Sequence, residues 1–187
     1  MAINDTTRNT TENSIGDLAS AFDFNVKTLT LMTPDKGSID LKPYMVELNY
    51  FEDIFSDSIS GKVVISDSIG IIKYLAIDGT ETIQMEFSGA KTSKLISHQF
   101  RVYSITNRSF DIGNYFETYT INFCSEELLI SQKYRVSKAY KKKNISDIIS
   151  DIFKTFLKTN KSINIDSTTG VFDIVAPSKK VFETINW

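Results

Sequence analysis

The chain has 187 residues, of which 41% are hydrophobic and 24% charged, with only 8 Gly and 3 Pro. That balance excludes fibrous and low-complexity classes and allows a real core, in one large domain or in one domain plus part of another. A single cysteine excludes an intrachain disulfide framework and makes a reducing compartment the default.

The net charge of −2 is unevenly spread. Residues 1–93 carry 7 Lys/Arg and 14 Asp/Glu, a balance of −7, whereas residues 94–187 carry 14 and 9, a balance of +5. Such polarity suits head-to-tail or stacked association better than nucleic-acid binding, which asks for a concentrated basic surface. Two domains of different isoelectric point would give the same split. An aromatic share of 12% favours strands and interfaces. The N-terminus has no basic region followed by an apolar run, and no window approaches the ~18 apolar residues of a spanning helix. No membrane insertion is expected, and the chain reads as soluble or as part of a soluble particle.

In chain order, residues 1–21 are rich in Thr, Asn, Ser and Asp and bury too little to offset ordering entropy, which predicts a flexible N-terminal tail. In FDFNVKTLTLM, Phe22, Phe24 and Val26 share one face and Leu29 and Leu31 follow after a shift, the mark of a bulged strand. Thr33 to Gly37 has Pro at its second position and Gly at its end, a turn. Strand character resumes from Asp40 to Phe51 and again from Gly61 to Ser66. Asp67-Ser68 before Ile69, Ile71, Ile72 and Leu75 predicts a short capped helix. Asp78-Gly79 is a turn, and the strand after it puts Ile83, Met85 and Phe87 on one face with Thr82, Gln84 and Glu86 on the other.

Two further strands are expected at Gln99–Ile105 and Asn114–Cys124, joined by a hairpin turn over 110–114. The second places Tyr115, Tyr119, Ile121 and Phe123 on one side. Several strands at regular spacing fit a barrel or sandwich. At Ser125 the character changes: Glu126-Glu127 after a Ser is a helix N-terminus. A helix capped by Asn144 carries Ile145, Ile148, Ile149, Ile152, Phe153, Phe156 and Leu157 at helical spacing, an apolar stripe expected to be buried. A linker is expected near 131–143, a strand at Val171–Val175, and a helix start at Val181, Phe182 and Ile185 after Pro177. The pattern breaks off at Trp187 inside that helix, which reads as the N-terminal portion of a longer product. The fold class is mainly β with some α: the tail, then an antiparallel barrel domain over 22–131, then the start of a smaller α+β domain over 132–187.

Site chemistry is sparse. His98 is the only histidine, so a two-His metal site is excluded, and a surface or hydrogen-bonded role fits it best. Cys124 lies beside Glu126 and Glu127, which raise a thiol pKa and favour a packed structural role over a nucleophile. Glu52, Asp53, Asp57 and Asp67 include no calcium-loop spacing, and no catalytic, cofactor or metal residues are assigned. The basic run Lys133, Arg135, Lys138, Lys141, Lys142 and Lys143 suits phosphate, an acidic partner or nucleic acid, or is a solvated connector. Phe51, Ile54 and Phe55 at the expected hairpin tip are either a subunit contact or core at a barrel end.

Together these segments resemble the central baseplate hub protein of T4-type contractile-tail bacteriophages. The resemblance runs over residues 25–187 and rests on Ile54 through Val64-Ile65-Ser66-Asp67-Ser68, Asp78-Gly79 to Phe87, Ser125–Leu129, Ile145–Ile149, and the helix start with Pro177, Phe182, Ile185 and Trp187. It implies a tail-tube-like antiparallel β-barrel followed by the start of a smaller α/β insertion domain. It further implies a structural virion protein, assembled in the host cytoplasm: a homotrimer that adapts a trimeric spike to the hexameric tail tube, contacts other baseplate proteins, and lines the channel through which DNA passes. No enzyme activity and no cofactor are implied. Two rival readings stay open, an oligonucleotide-binding β-barrel and a carboxylate-dependent hydrolase around Glu52–Asp57.

Overall fold

The structure, a computed structural model, describes residues 24–89, 94–113 and 115–187. The predicted tail, Phe22 and Asn114 lie outside the described residues. Strands β1 (Phe24–Thr33), β2 (Gly37–Asp40), β3 (Met45–Phe51) and β4 (Ser60–Asp67) precede a short helix α1 (Ile71–Leu75), and β5 (Thr82–Gly89), β6 (Leu95–Asp111) and β7 (Phe116–Cys124) follow it. All seven strands pair antiparallel in one sheet, in the order β2-β1-β5-β6-β7-β4-β3.

The sheet has one dry face, set by period-2 alternation. Leu29, Leu31, Val63, Ile65, Ile83, Met85, Phe100, Val102, Tyr119, Ile121 and Phe123 are buried on it. The predicted bulge in β1 is present: the register slips between Val26 and Thr28, which keeps Phe24 and Val26 on the same side as Leu29 and Leu31. Gly61 faces inward on β4 because nothing larger fits. A Cβ there would run into the Phe123 ring and stand 2.6 Å from the Asn49 carbonyl oxygen.

The sheet curls into a half-barrel, and its two edges do not pair as strands. The curl brings the Tyr50 ring of β3 to 5.0 Å from Phe87 of β5. The segment read as strand from Asp40 breaks at the seam instead, because Pro43 lacks the N–H a ladder needs. A 3-10 turn at Lys42–Tyr44 fills the gap, with the Leu41 N–H donating to the Leu29 carbonyl (2.7 Å) and Lys42 Nζ to the Lys27 carbonyl (3.1 Å). Tyr115 also departs from expectation. It lies in the β6–β7 turn at φ 56°, exposed, rather than on the inner face of β7.

At the far end of β4, Asp67 is buried and saturated. Its Oδ1 accepts from the N–H groups of Ile69 (3.0 Å) and Gly70 (2.7 Å), and its Oδ2 from the Ile71 N–H (2.6 Å) and the Tyr119 hydroxyl (3.1 Å). Burial and the adjacent carboxylate together push the Tyr119 hydroxyl far above its usual range, so it stays a donor. Asp67 thereby ties the start of α1 to the middle of the sheet.

After β7 the chain forms α2 (Glu126–Lys133), β8 (Arg135–Val136), β9 (Ala139–Lys143), α3 (Ile145–Ile152), β10 (Phe172–Val175), β11 (Lys179–Lys180) and α4 (Val181–Ile185). Asn144 caps α3 as predicted, its Oδ1 accepting from the Asp147 N–H (2.9 Å). The helix then widens into a π-helical turn over Phe153–Leu157, closed by Lys158 N–H to the Phe153 carbonyl (3.1 Å). β9 pairs with β10 and β8 with β11, both antiparallel. Val136, Tyr140, Ile148, Ile152, Leu157, Val181 and Phe182 make a second buried cluster, to which Leu128 and Ile130 of α2 contribute. The segment expected to be a linker, 131–143, is therefore the end of α2 plus β8 and β9, and its Val136 and Tyr140 are core.

Replacing Asp67 by Ala should leave three backbone N–H groups and the Tyr119 hydroxyl without their acceptor, at a cost of about 3 kcal/mol. Chemical denaturation should show the midpoint fall with the slope unchanged, and Asp67→Asn should lose less because one acceptor oxygen remains.

Candidate assembly surface

The β3–β4 connection projects beyond the first core. Asp53 shapes it: its Oδ1 accepts from the Phe55 N–H (2.9 Å), and its carbonyl from the Ser56 N–H (3.0 Å). The Ser56 hydroxyl closes the loop by donating to the Ser58 carbonyl (2.9 Å). This local bonding holds three large side chains out in solvent: Ile54 is 92% exposed, Phe55 93%, and Phe51 55%. They are not core. The tip is tied to the second cluster by Asn186 Nδ2 donating to Asp57 Oδ1 (2.7 Å), and at its base the Ser125 hydroxyl donates to the Ile59 carbonyl (3.2 Å).

A cleft of about 390 Å³ runs between the tip and the second cluster, lined among others by Glu52, Asp57, Phe153, Lys161 and Phe182. A larger one of about 670 Å³ lies between β6 and α2, with His98, Arg101, Glu127 and Lys161 on its walls. Burial works against the Glu127 carboxylate. Hydrogen bonds from Lys161 Nζ (2.7 Å) and Thr159 Oγ1 (2.6 Å) nevertheless outweigh it and hold Glu127 below the usual glutamate range. That pairing fastens the 158–161 segment to α2 and leaves the cleft wall charge-balanced.

Of the four carboxylates considered as a hydrolytic group, Glu52, Asp53 and Asp57 line the cleft beside the tip and Asp67 does not join them. Glu52 accepts from the Tyr50 hydroxyl (3.0 Å), Asp53 and Asp57 are committed as described, and Asp67 lies buried at the opposite end of β4. Among the described residues, no group of three or more His, Cys, Asp or Glu could hold a metal ion. His98 is half-buried and stacks on the Tyr50 ring at 6.3 Å between centroids. Cys124 is fully buried, and burial, rather than its acidic neighbours, pushes the thiol up to about 11.

The basic run divides. A hydrogen bond from Lys138 Nζ (2.7 Å) holds Asp151 below the usual carboxylate range, and Arg135 donates to the Ser178 carbonyl (3.1 Å). Lys141, Lys142 and Lys143 are exposed on β9. A surface that the sequence reading passed over lies beside them: Val171, Phe172 and Val175 are exposed in and just before β10. Four apolar residues among the five from Val171 to Val175 look like a buried strand, yet only Ile174 turns toward the core. At the opposite end of the large sheet from the β3–β4 tip, Ile69, Tyr74, Phe110, Ile112 and Tyr115 are also exposed. Among the described residues, no helix is long and apolar enough to cross a membrane.

No protein-family model matches the chain. In sequence it is 25% identical over 130 residues to the "Probable baseplate hub protein gp334" of Vibrio phage KVP40, a match covering 68% of this chain and 30% of that protein. In fold it is similar to a tail protein of Neisseria meningitidis MC58, with a TM-score of 0.55 at 10% identity over 88% of this chain and 44% of that one. It is likewise similar to a tail protein of prophage MuSo2 from Shewanella oneidensis, with a TM-score of 0.56 at 11% identity over 85% and 47%. The chain thus spans under half the length of each of these proteins. The resemblance read from the sequence is borne out: the chain is similar to a probable phage baseplate hub protein in sequence and to tail proteins in its mostly β, half-barrel fold.

Because Cys124 is buried with a raised pKa, a thiol-specific reagent should label it negligibly in the native protein at neutral pH. Labelling should become complete in denaturant, and fast native labelling would show that β7 opens locally.

Proposed function

We propose that this chain is a structural component of a phage tail baseplate, and that within the baseplate it belongs to the central hub. The observation that carries the reading is the 130-residue match to a baseplate hub protein, on a curled antiparallel sheet like those of phage tail proteins. In this reading the chain acts by binding neighbours and not by chemistry, as a homotrimer adapting a trimeric spike to the hexameric tail tube. The wet face of the sheet suits a channel lining. It carries neutral polar side chains such as Gln84, Ser97, Thr106 and Asn122 beside the charged Lys62, Glu86 and Arg101, with Gln84 Nε2 donating to Ser97 Oγ (2.9 Å) and Asn122 Nδ2 to Thr106 Oγ1 (3.0 Å). Neutral side chains bonded to one another offer a passing DNA duplex little to grip.

The two buried clusters support a division into a tube-like unit over 22–131 and a second unit over 132–187, with α2 as the bridge between them. The contact surface in this reading is the β3–β4 tip, Phe51, Ile54 and Phe55. Large apolar side chains held out by the loop's own hydrogen bonds suit a partner that covers them.

Threefold particles containing this chain, seen by electron microscopy or native mass spectrometry of baseplates, are the expected result. A chain that stays monomeric beside tube and spike proteins would overturn the hub reading. Phe51→Ser with Phe55→Ser should leave circular dichroism and thermal unfolding nearly unchanged and reduce capture of neighbouring subunits by about tenfold or more. Unfolding of the double variant, or undiminished capture, would each remove the tip from the interface.

A further inference from the structure

The ribbon formed by β9 and β10 packs on the second core through part of its side chains and leaves the rest exposed. Its inner side feeds the second core through Tyr140, Ile174 and the neighbouring Ala176. Exposed on the ribbon are Lys141, Lys142 and Lys143 together with Val171 (68% exposed), Phe172 and Val175 (70% exposed), and Phe172 sits opposite Lys143 in the ladder. None of these three lysines forms an ion pair among the described residues. Lys138 is committed to Asp151, and the one acid on β10, Asp173, accepts from the Lys142 backbone N–H (2.8 Å). Aliphatic side chains interleaved with the lysines fit a protein partner better than a nucleic acid, whose interfaces are more polar and more densely cationic.

The β3–β4 region is the opposite in charge and the same in apolar character. From Glu47 to Asp57 it holds Glu47, Glu52, Asp53 and Asp57 and no Lys or Arg, and none of the four acids is in an ion pair among the described residues. Between those acids stand Phe51, Ile54 and Phe55. Each patch alone leaves apolar surface wet and like charges adjacent. Brought together, the two cover each other's hydrophobic side chains and neutralise each other's charge, and the opposite potentials steer the encounter.

We propose that the exposed lysine and apolar side chains of the β9–β10 ribbon are the docking surface for the β3–β4 tip of a second copy of this chain. The proposal rests on the reading of the tip as a contact surface and names what it contacts. The tip of one copy meets the ribbon of the next, so the contact is heterologous and each copy keeps one tip and one ribbon open for further neighbours.

Charge reversal in both directions tests it on the full chain. Sedimentation of the native chain should show self-association at low salt that weakens as salt is raised. Lys141→Glu with Lys143→Glu, and separately Glu47→Lys with Glu52→Lys, should each weaken it on the order of tenfold while circular dichroism stays native. A chain carrying all four changes should associate again, and an equimolar mixture of the two double variants should form a complex that neither forms alone. A chain that stays monomeric at low salt, or a fourfold variant that fails to recover, overturns the docking. So does a single-stranded oligonucleotide that binds through the lysines while self-association ignores them. A monomeric native chain whose Phe51/Phe55 variant still loses capture of other tail proteins would leave the tip as a contact surface and overturn the copy-to-copy contact alone.

Discussion

A single sheet with one apolar face and no helical layer over it has only itself to pack against. Everything in the first 100 described residues follows from that constraint. The strands must be antiparallel, because hairpins and short connections leave no crossover helices to cover a face. The sheet must curl, so that side chains of β3 reach those of β5 across the concave side, as Tyr50 does with Phe87. Curling brings two unpaired edges near each other, and the 3-10 turn with buried Leu41 fills the seam where a ladder would otherwise run. α1, too short to be a layer, plugs one end through Ile71 and Leu75, and Asp67 fixes it there.

Such a core leaves the ends of the sheet to be solved separately, and the two ends are solved with polar side chains bonded to the backbone. Asp67 and Glu81 are both buried carboxylates that accept backbone N–H groups, Glu81 from Asp78 and Gly79 at 2.8 Å each. Neither pairs with a cation among the described residues. Each offsets its loss of hydration by satisfying donors that a tight turn leaves orphaned. The turns therefore cost little in unpaired backbone, and the large side chains near them are free to point outward. Exposure of Ile54, Phe55, Ile112 and Tyr115 follows from turns closed by their own hydrogen bonds, with no need for an apolar anchor.

These mechanisms decide what the sequence discloses. Alternation is local, so the bulge near Lys27, the dry side of β5 and the extent of β4 were legible from spacing alone. Caps are local as well: Ser125 and Asn144 stand at the helix starts they predict. What depends on a distant partner was not legible. Gly61 is small because of Phe123, 62 positions later. Asp67 looks like a surface cap and is buried because Tyr119 reaches it from β7. Residues 131–143 look like a basic connector because β8 and β9 are short and their partners, β11 and β10, come more than 25 residues later in sequence. The candidate surface was legible in its residues and not in its exposure: apolar side chains beside a turn are compatible with core or contact until the loop's hydrogen bonds are known.

The same logic bears on how a chain like this one enters an assembly. A symmetric, self-complementary contact needs one patch that matches itself, and a segment with four acids and no base of its own opposes pairing with its own copy. The charge split between the halves of this chain thus disfavours two-fold pairing through the β3–β4 tip and favours contacts in which unlike regions meet. Contacts of that kind close into a ring only when the rotation between neighbours divides a full turn, and otherwise propagate as a helix. A tail needs both outcomes, stacked tube and closed base. In the assembly reading proposed above, the fold supplies the rigid curved sheet, and the choice between ring and stack is left to the angle that the projecting tip imposes on its neighbour. That angle is set by a loop whose geometry depends on Asp53, Ser56 and the Asp57–Asn186 bond at the tip and on the Ser125–Ile59 bonds at its base.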